Sequence, residues 1–594
     1  MNNRSFAIVA GLCASGLGSC APALAPTAAT APIEVQILAF NDFHGNLEPP
    51  GLTIHAAGSG GAGTDISAGG VVRLAGTLAE LRRGRPYTIT VSAGDLIGAS
   101  PLISALFLDE PTITAMNMAG LSLNAVGNHE FDKGEGELLR MQRGGCATFT
   151  RRKPCALEPF GGARFEFLAA NVLTEQGKTL FPATAIRRFG PITIGFIGMT
   201  LKATSQSVTP SGVAGLSFLD EAGTANALVP GLRRQGADTI VLLIHQGGAT
   251  TGNFDDPACP GLSGEILPIL ARLDPAIAVV VSGHTHNAYR CRVPIPGQGR
   301  TRLLTSAGKY GTLVSDIRLR FSRPTRELID DQASFAVVGR NPPQSRVDDL
   351  KVAALVERYR RAAKPLADRT VGHIAGPISA TPDAAGGQRL GEMIADAQRE
   401  WTRPGSRGGA QIAFMNSGGV RTDLVPLAGG RVTYGQLFAL QPFGNGLVVQ
   451  TLSGRQLKRL LEQQFGGPDG RATPERYMLL PSAGFVFAYD LTRVPGDRVV
   501  AMTLAGRPID PGASYRIATN SFLASGGDGF TVLREGTDRR DAGEDLAALE
   551  AYIGHHSSVP VEERIKKVGH PTLSRSESRL SPVRLGQSSA HAPR

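Results

Sequence analysis

The residues Gly127-Asn128-His129-Glu130-Phe131-Asp132, written GNHEFD, directly follow the apolar stretch 121–126, which has the composition of a β-strand. Four other short polar clusters also follow β-prone stretches: Asn41-Asp42-Phe43-His44 after 35–40, Gly94-Asp95 after 87–91, His245 after 239–244, and Gly283-His284-Thr285-His286 after 277–281. Ligands of open α/β sheets bind outside the carboxyl ends of the strands. The five clusters therefore predict one site at the carboxyl ends of sheet strands.

The predicted site has the side chains that two metal ions require. Two-metal hydrolytic sites hold the ions roughly 3.5–4 Å apart, which needs a carboxylate between them, and we predict that Asp95 is this bridge. Oxygen and nitrogen donors without a thiolate suit Zn, Mn, Co or Fe. The predicted ligands that accompany Asp95 are Asp42, His44 and His286 for one ion and Asn128, His245 and His284 for the other.

His129 directly follows a predicted ligand and is expected to stay outside the metal coordination. Asp132 could accept a hydrogen bond from its ring and set its tautomer. His129 would then stabilise the phosphoryl charge or protonate the leaving group, while a hydroxide shared by the metals attacks phosphorus. Phe131 is expected to pack inward, and no role follows for Glu130. Each cluster by itself would be an ordinary loop, but the ordered set favours metal chemistry.

At 594 residues the chain is too long for one hydrophobic core. Strands alternate with helical stretches, which predicts two α/β domains, and the predicted helices are 71–83, 265–273, 348–367, 390–401 and 454–464. Part of the net charge of +10 lies in the last thirty or so residues, and the rest of the surface is only mildly basic. We therefore expect no nucleic acid polymer as partner. The predicted divisions are 1–32 (export segment), 33–341 (first domain), 342–369 (connecting helix), 370–563 (second domain) and 564–594 (disordered basic tail).

The N-terminus has the pattern of an export signal: Arg4, an apolar stretch 6–17 and then small residues. This stretch is too short to span a bilayer, and no later segment is long and apolar enough. Residues 17–20 (LGSC) resemble a bacterial lipoprotein cleavage box with Cys20 as the acylated residue, and 21–32 would be a tether. Cleavage near Ala25 or Ala31 without a lipid is the alternative. The expected location is periplasmic or at the cell envelope, with an outer-membrane lipid anchor in the first case.

Four cysteines remain for the mature chain, an even number in an oxidising compartment. Cys146 and Cys155 flank a short basic loop and suggest a local disulfide. Cys259 and Cys291 lie on either side of the strand that leads to His284, where a second disulfide could brace the ligand loop. A zinc site of four thiolates is the alternative, but the spacings are not those of zinc ribbons.

On these motifs, the N-terminal half resembles the calcineurin-type metallophosphoesterase domain, and residues 33–560 resemble the secreted 5′-nucleotidase family. The resemblance implies a four-layer αββα first domain, a connecting helix and an α/β nucleotide-recognition domain. It also implies the ligand set and the His129–Asp132 dyad at the positions given above. The GHTH ending occurs as well in relatives that open 2′,3′-cyclic nucleotides.

The second domain carries three further motifs of that family: Asn416–Arg421 (NSGGVR), 441–445 (QPFGN) and 520–530 (NSFLASGGDGF). The resemblance implies that Phe443 and Phe522 sandwich the base, where stacking contributes roughly 1–3 kcal/mol per base. Asp528 would accept the ribose hydroxyls, and Arg421 and Asn416 would bind phosphate. Either phenylalanine alone would be interpreted as core. Ala384 stands where the family often has an arginine, with Arg389 nearby.

These features predict an exported metal-dependent phosphohydrolase that releases phosphate from nucleotides, with catalysis requiring closure of the two domains. Three groups of alternatives stay open. The same metals could serve a 2′,3′-cyclic nucleotide phosphodiesterase with 3′-nucleotidase action, or a UDP-sugar or NAD pyrophosphatase. Thiosulfate-processing hydrolases share the fold, although the two phenylalanines have no use for an inorganic substrate. A surface binding protein on a nucleotidase scaffold would need no complete ligand set.

Overall fold

The computed structural model describes residues 31–56, 64–150, 152–339, 347–466, 478–558 and 562–569. The predicted export segment with Cys20, and the tail from residue 570 onward, lie outside these residues. The chain forms two compact units. Unit 1 comprises Met1–Gly98, Phe107–Thr204 and Gly215–Arg358, and unit 2 comprises Ala99–Leu106, Ser205–Ala214 and Tyr359–Arg594.

Unit 1 contains two six-stranded sheets. In spatial order the first is Leu328–Val337, Leu313–Phe321, Ile33–Phe40, Thr88–Ser92, Leu123–Ala125 and Glu166–Leu168. The second is Ala288–Pro294, Thr301–Ala307, Ile277–Ser282, Thr239–His245, Ile192–Thr200 and Thr184–Phe189. Apolar side chains of both sheets, such as Val35, Ile37, Phe196 and Val241, form one core. The two sheets therefore pack face to face.

Helices complete unit 1 as Val71–Arg82, Glu110–Ala119, Glu135–Arg143, Glu221–Arg234 and Ile266–Arg272. The last two pack through Ala225, Leu232 and Ile269 on the outer side of the second sheet. Smaller elements are the paired strands Leu52–Ala56 and Thr64–Ala68, the paired strands Val172–Leu173 and Ser217–Phe218, and the 3₁₀ turn His129–Phe131. Helices and two stacked sheets give the mixed α/β fold that the sequence predicts, which is confirmed.

Parallel strands bring the polar clusters to common edges. In the first sheet Ile33–Phe40 pairs in parallel with Thr88–Ser92, which pairs in parallel with Leu123–Ala125. In the second sheet Thr239–His245 pairs in parallel with Ile277–Ser282. Since these strands run in one direction within each sheet, the residues that follow them leave at the same edge.

Unit 2 is built on a five-stranded sheet in the order Leu479–Pro481, Ile412–Asn416, Ser514–Asn520, Gly446–Ser453 and Thr537–Glu544. A four-stranded sheet (Arg507–Pro508, Val499–Leu504, Phe485–Asp490, Ile565–Val568) and the pair Thr370–His373 with Arg431–Thr433 accompany it. Its helices are Leu102–Ala105, Arg389–Thr402, Tyr434–Leu440, Gly454–Gln463, Ser521–Ala524 and Asp545–His555. Short 3₁₀ turns are Pro210–Gly212, Gly405–Arg407, Ser417–Gly419, Ala428–Gly430, Gly527–Gly529 and Thr531–Glu535.

The helix Val347–Ala367 contains the point at which the two units divide, between Arg358 and Tyr359. A second helix, Thr204–Ser207, also contains a division point. The segment 99–106 falls inside the predicted first domain, yet it belongs to unit 2 because Leu102 and Ala105 are part of the unit 2 core. The domain boundaries stay a prediction.

The predicted helices agree closely with the structure. Those predicted at 71–83, 265–273, 348–367, 390–401 and 454–464 each begin and end within one residue of the observed helix. Two helices of unit 2 begin with a capping box, in which Thr433 pairs with Gln436 and Ser453 with Gln456. Side-chain oxygen atoms there satisfy the first main-chain N–H groups, which ends the preceding strand and begins the helix.

Both predicted disulfides are present, Cys146–Cys155 and Cys259–Cys291. The second joins the loop after Thr239–His245 to the strand Ala288–Pro294. It therefore connects the chain segments that follow two of the polar clusters. Among the residues that the structure describes, no helix combines the length and the apolar character needed to cross a membrane.

Candidate active site

The loops that carry the predicted ligands have unusual backbone geometry. Five of these residues lie in the left-handed region, with φ of 50° for Asp42, 47° for His44, 50° for Asp95, 70° for His284 and 60° for His286. Each such residue costs on the order of 1–3 kcal/mol and persists only where its surroundings enforce it. Main-chain bonds supply part of this enforcement, since Asp42 N donates to Gly94 O at 3.0 Å and His44 N to Asp95 O at 2.9 Å.

One group of candidate ligands consists of Asp42, His44 and His286, whose donor atoms all lie within 4.8 Å of one another. His44 Nε2 is 3.1 Å from His286 Nε2, and His286 Nε2 is 3.4 Å from Asp42 Oδ1. Asp42 and His44 are fully buried, whereas His286 is half-buried. Two imidazoles and a carboxylate so close together form a chelating set for a divalent ion.

The second group consists of Asp95, His245 and His284, again with donor atoms within 4.8 Å. His245 Nε2 lies 3.0 Å from Asp95 Oδ2, and His284 Nδ1 lies 3.1 Å from Asn128 Oδ1. Asp95 Oδ2 is also 3.6 Å from His44 Nε2 of the first group. The structure thus brings all seven predicted ligands together, and Asp95 Oδ2 faces both His245 of the second group and His44 of the first.

Main-chain carbonyls orient two of the imidazoles. His44 Nδ1 lies 2.9 Å from Gly98 O, and His245 Nδ1 lies 2.8 Å from Ala93 O. A donor bond from Nδ1 leaves Nε2 as the lone-pair atom that faces the group, as in metal-bound histidines. His245 Nε2 is buried and has no partner in hydrogen-bonding geometry in the described part of the chain, although Asp95 Oδ2 is near. Such a buried nitrogen fits a metal ion, which binds the neutral imidazole and displaces its proton.

The ionisable groups are strongly coupled. Burial opposes the charged forms, but the carboxylates of Asp95 and Asp42 outweigh it and raise the pKa of His245 to about 10. In the same way burial would raise the pKa of Asp95, yet His245, His129 and His44 hold it well below its ordinary value. Asp95 is therefore an ionised carboxylate in a site with little water, which strongly attracts cations.

His129 and Asp132 form the predicted dyad geometry, with His129 Nδ1 at 2.9 Å from Asp132 Oδ2 and 3.1 Å from Oδ1. The main-chain N–H of His129 donates to Asp95 Oδ1 at 2.9 Å, which ties the dyad to the ligand groups. Its ring meets the His44 ring edge-on, with centroids 5.2 Å apart. Phe131 is fully buried and packs edge-to-face on Phe218, so its predicted inward packing is confirmed.

Sequence reasoning gave no role to three neighbours of the site. Asn41 Nδ2 donates to Asp42 Oδ2 at 2.6 Å and to Gly308 O at 2.7 Å, and it thereby orients the ligand carboxylate. The Tyr310 ring meets His44 and His286 edge-on at centroid distances of 5.9 and 5.8 Å. Only proximity to a ligand could have indicated Asn41, whereas Tyr310 follows a strand that carries no ligand motif. The third neighbour, Glu130, is fully buried, and burial together with Asp95 raises its pKa to about 7.

The recognition residues of unit 2 begin at Asn416, the last residue of the strand Ile412–Asn416. Its Nδ2 donates to Asp528 Oδ2 at 2.8 Å, and its Oδ1 accepts from Asn520 Nδ2 at 3.1 Å. Asp528 has φ of 53° in the turn Gly527–Gly529. The structure therefore places Asn416 against the acid predicted for ribose, whereas the sequence grouped it with Arg421.

Arg421 lies above a predicted base-binding ring, with Cζ 5.8 Å from the centroid of Phe443. Its Nε and Nη2 are buried and have no hydrogen-bond partner among the described residues, so they remain able to bind an anion. Phe443 and Phe522 are both half-buried. The Phe522 ring lies so close to Gly527 that a Cβ there would overlap it, which explains this glycine. Ala384 is exposed, and exposed Arg389 begins the helix Arg389–Thr402.

Fold and site together define a metallophosphoesterase-type α/β protein with a second α/β unit. Residues 370–535 match the family model described as 5′-nucleotidase, C-terminal domain. The 5′-nucleotidase precursor of Thermus thermophilus superposes with a TM-score of 0.72 and 26% identity, covering 91% of this chain and 100% of that one.

Curated relatives extend over most of the chain. The endonuclease YhcR of Bacillus subtilis is 28% identical over 534 residues, 88% of this chain but only 40% of that protein's length. The "Probable 5′-nucleotidase" of Treponema pallidum is 26% identical over 600 residues, 88% of this chain and 92% of that protein. These similarities, with the match of residues 370–535 to the C-terminal domain, support a two-domain protein of the 5′-nucleotidase family.

Proposed function

We propose that the protein is a two-metal nucleotide phosphohydrolase of the 5′-nucleotidase type that releases phosphate from a nucleoside monophosphate. The observation that carries this proposal is the pair of ligand groups around Asp95, with the His129–Asp132 pair beside them. Asp42, His44 and His286 would hold one divalent ion, and Asn128, His245 and His284 the other, with Asp95 between them. Zn, Mn, Co and Fe all suit this donor set.

When bound, the ions would supply Lewis acidity and lower the pKa of water. The His129–Asp132 pair supports a second contribution to the reaction, which is proton donation by a side chain of the protein. Because Asp132 accepts from Nδ1, the ring of His129 would donate a proton from Nε2. A protonated His129 would stabilise the charge that develops on the phosphoryl oxygens or protonate the leaving oxygen.

Unit 2 would recognise the nucleotide. Phe443 and Phe522 would bind the base by stacking, and Asp528, oriented by Asn416, would accept hydrogen bonds from the ribose hydroxyls. Nε and Nη2 of Arg421, which have no hydrogen-bond partner among the described residues, support a role in binding phosphate. This set suits a nucleotide better than an inorganic ester, which has neither base nor sugar.

We also propose that the protein is exported. Two disulfides support an oxidising compartment. The sequence LGSC at 17–20 favours acylation of Cys20 and anchorage to a membrane, with cleavage after small residues as the alternative. The mass of the mature N-terminal peptide decides between them. An acylated Cys20 adds the mass of its lipid to this peptide, whereas cleavage near Ala25 or Ala31 removes Cys20 from the mature protein.

A substrate panel tests the proposed activity. Protein stripped of metal with a chelator would be supplied with Zn, Mn, Co or Mg in turn, and initial rates measured on AMP, 3′-AMP, 2′,3′-cyclic AMP, UDP-glucose and NAD. We expect AMP to give the highest kcat/KM and the metal-free protein to be inactive. A preference for the cyclic substrate would replace the proposal by a phosphodiesterase, and a preference for UDP-glucose or NAD by a pyrophosphatase.

Two controls complete the panel. Single-stranded and duplex DNA are included because one relative is named an endonuclease. Thiosulfate esters provide an inorganic comparison. No metal-dependent hydrolysis of any of these substrates would contradict the proposal and favour a binding protein on a nucleotidase scaffold.

A further inference from the structure

Glu130 is a buried carboxylate whose two oxygen atoms both accept main-chain hydrogen bonds. It is 2% exposed. Oε2 accepts from Gly127 N at 2.7 Å and from Asp95 N at 3.0 Å, and Oε1 accepts from Leu96 N at 2.7 Å. The side chain therefore connects the loop that begins GNHEFD with the loop that carries Asp95.

These three bonds lie where the strand pairing stops. The strands Thr88–Ser92 and Leu123–Ala125 are paired in parallel as far as Ser92 and Asn124. Beyond that point both strands end in loops, and the carboxylate of Glu130 connects these loops by hydrogen bonds. Because these hydrogen bonds hold the main-chain N–H groups of Asp95 and Leu96, they help to enforce the left-handed backbone of Asp95.

The same arrangement fixes the side chain of Asp95. Oδ1 accepts from the main-chain N–H of His129, while Oδ2 faces His245 and His44. Close approach of the two loops depends on Gly127, since a Cβ there would overlap Asp95 Oδ1 and lie 2.9 Å from Glu130 Oε2. Asp95 is thus held at its main chain by Glu130 and at one oxygen by the other loop.

We propose that Glu130 is a positioning residue that holds Asp95 between the two ligand groups and so sets the affinity of the site for its ions. This inference rests on the metal site of the proposed function. Glu130 is 2% exposed and its oxygen atoms face main-chain donors, so its proposed effect is exerted through Asp95. Groups that orient metal ligands typically change metal affinity by about 10–100-fold when they are replaced.

The test is a titration of metal-free protein with Mn²⁺ by calorimetry, together with the visible spectrum of the Co²⁺ protein. In Glu130→Gln one oxygen becomes an amide N–H₂, which cannot accept from a main-chain N–H, so at least one of the three bonds is lost. We expect the Mn²⁺ dissociation constant to rise about 10–100-fold and the Co²⁺ absorption bands to shift. KM for AMP at saturating Mn²⁺ should stay within about twofold.

Glu221→Gln is the matched control. Glu221 is a buried glutamate of the same unit whose Oε1 accepts from the main-chain N–H of Lys202 at 2.6 Å, and it belongs to neither ligand group. We expect this variant to lose thermal stability comparably while its Mn²⁺ affinity and Co²⁺ spectrum stay those of the wild type. An equal loss of affinity in the control would overturn the positioning role, since it would reflect stability alone.

Glu130→Asp is the second variant, which keeps the carboxylate but shortens it by one methylene. We expect it to fold and to bind Mn²⁺ more weakly than the wild type. Wild-type affinity in either Glu130 variant would overturn the proposal, and so would failure of both to fold where metal-free wild type is folded. If the wild type itself binds no Mn²⁺, the proposed function fails. This result is distinct from equal Mn²⁺ affinities of the wild type and the Glu130 variants, which would overturn only the positioning role.

Discussion

Asp95 of unit 1 and Asp545 of unit 2 are both 1% exposed, but the pKa values of their carboxyl groups are shifted in opposite directions. In unit 1 burial alone would neutralise Asp95, but His245, His129 and His44 hold its pKa well below the ordinary value. In unit 2 burial raises the pKa of Asp545 to about 8, and neighbouring Glu544 adds to the rise. The same side chain at the same depth is an anion in one unit and a neutral acid in the other.

The difference shows that neighbours, not depth, decide the charge of a buried carboxyl. Imidazoles surround Asp95 and make it part of a ligand set for cations. Around Asp545 lie amide groups, with Gln441 Nε2 at 3.5 Å from Oδ2, and these cannot neutralise an anion. The surroundings of Asp95 in unit 1 therefore favour its charged form, whereas those of Asp545 in unit 2 favour its neutral form.

Replacing each aspartate by asparagine should give the largest contrast. Asp95→Asn loses the anionic bridge, so we expect Mn²⁺ affinity to fall by at least about 100-fold and phosphate release from AMP to become undetectable, because loss of a ligand exceeds loss of an orienting group. Asp545→Asn is the matched variant and should keep wild-type affinity and rate at pH 7. Calorimetry and phosphate release measure both. Full activity of Asp95→Asn would contradict the proposal that Asp95, unlike Asp545, acts as an anionic metal ligand.

The next largest effect is expected at His129. His129→Ala should lower kcat for AMP about 10²–10⁴-fold while metal content and KM stay near wild type, because the imidazole acts on the reacting phosphate and not on the ions. Steady-state kinetics and metal analysis by mass spectrometry check this. The control is His55→Ala, which removes an exposed histidine paired with Asp65. Loss of metal from His129→Ala would instead assign the ring to the ligand set.

Unit 2 variants should change KM and not kcat. Phe443→Ala and Phe522→Ala each remove one stacking surface worth roughly 1–3 kcal/mol, so KM for AMP should rise by about 5–150-fold with kcat within about threefold. Phe149→Ala, which removes a phenylalanine of unit 1 that is 53% exposed, is the control. A lower melting temperature with unchanged KM would show that both rings serve only the unit 2 core.

The last expected effect concerns stability and pH, and it leaves activity at pH 7 unchanged. Unfolded Asp545 loses its proton near pH 4, whereas the folded group keeps it to about pH 8, so the folded state binds more protons between these values. The free energy of unfolding of unit 2 should therefore fall as pH rises from 5 to 8, by at most about 1.4 kcal/mol per pH unit from this group.

Asp545→Asn should remove that contribution and give a flatter pH profile. Denaturant unfolding at pH 5 and pH 8 can follow the fluorescence of Trp401, the single tryptophan of the chain, which lies in the unit 2 helix Arg389–Thr402. Equal pH slopes in the two proteins would show that Asp545 is already ionised in the folded state. Asp545 and Asp95 would then have the same charge.

Much of the site could be predicted because its chemistry lies in short local patterns. Each predicted ligand follows an apolar stretch that forms a strand, and parallel strands deliver their following residues to a common edge. The pairing of Cys259 with Cys291 was likewise predictable, since both flank the strand that leads to His284. Helix limits followed from hydrophobic periodicity and local start signals.

Other features depended on contacts between distant segments. The assignment of residues 99–106 to unit 2 arises from apolar packing that no local pattern indicates. The hydrogen bond from Asn416 to Asp528 joins residues 112 positions apart. Tyr310 is a neighbour of His44 and His286 only because a strand without a ligand motif ends beside them.

The amino-acid sequence by itself determined which side chains can bind metal, transfer protons and stack on a base, because composition and strand spacing are local properties. The tertiary structure alone decided the left-handed backbone of the ligand loops, the contacts of Glu130 and the opposite pKa shifts of Asp95 and Asp545. These depend on which groups meet after folding, as when His284 N donates to Asp42 from 242 residues away. Electrostatic and hydrogen-bond energies are set by distance in space, and a sequence specifies only distance along the chain.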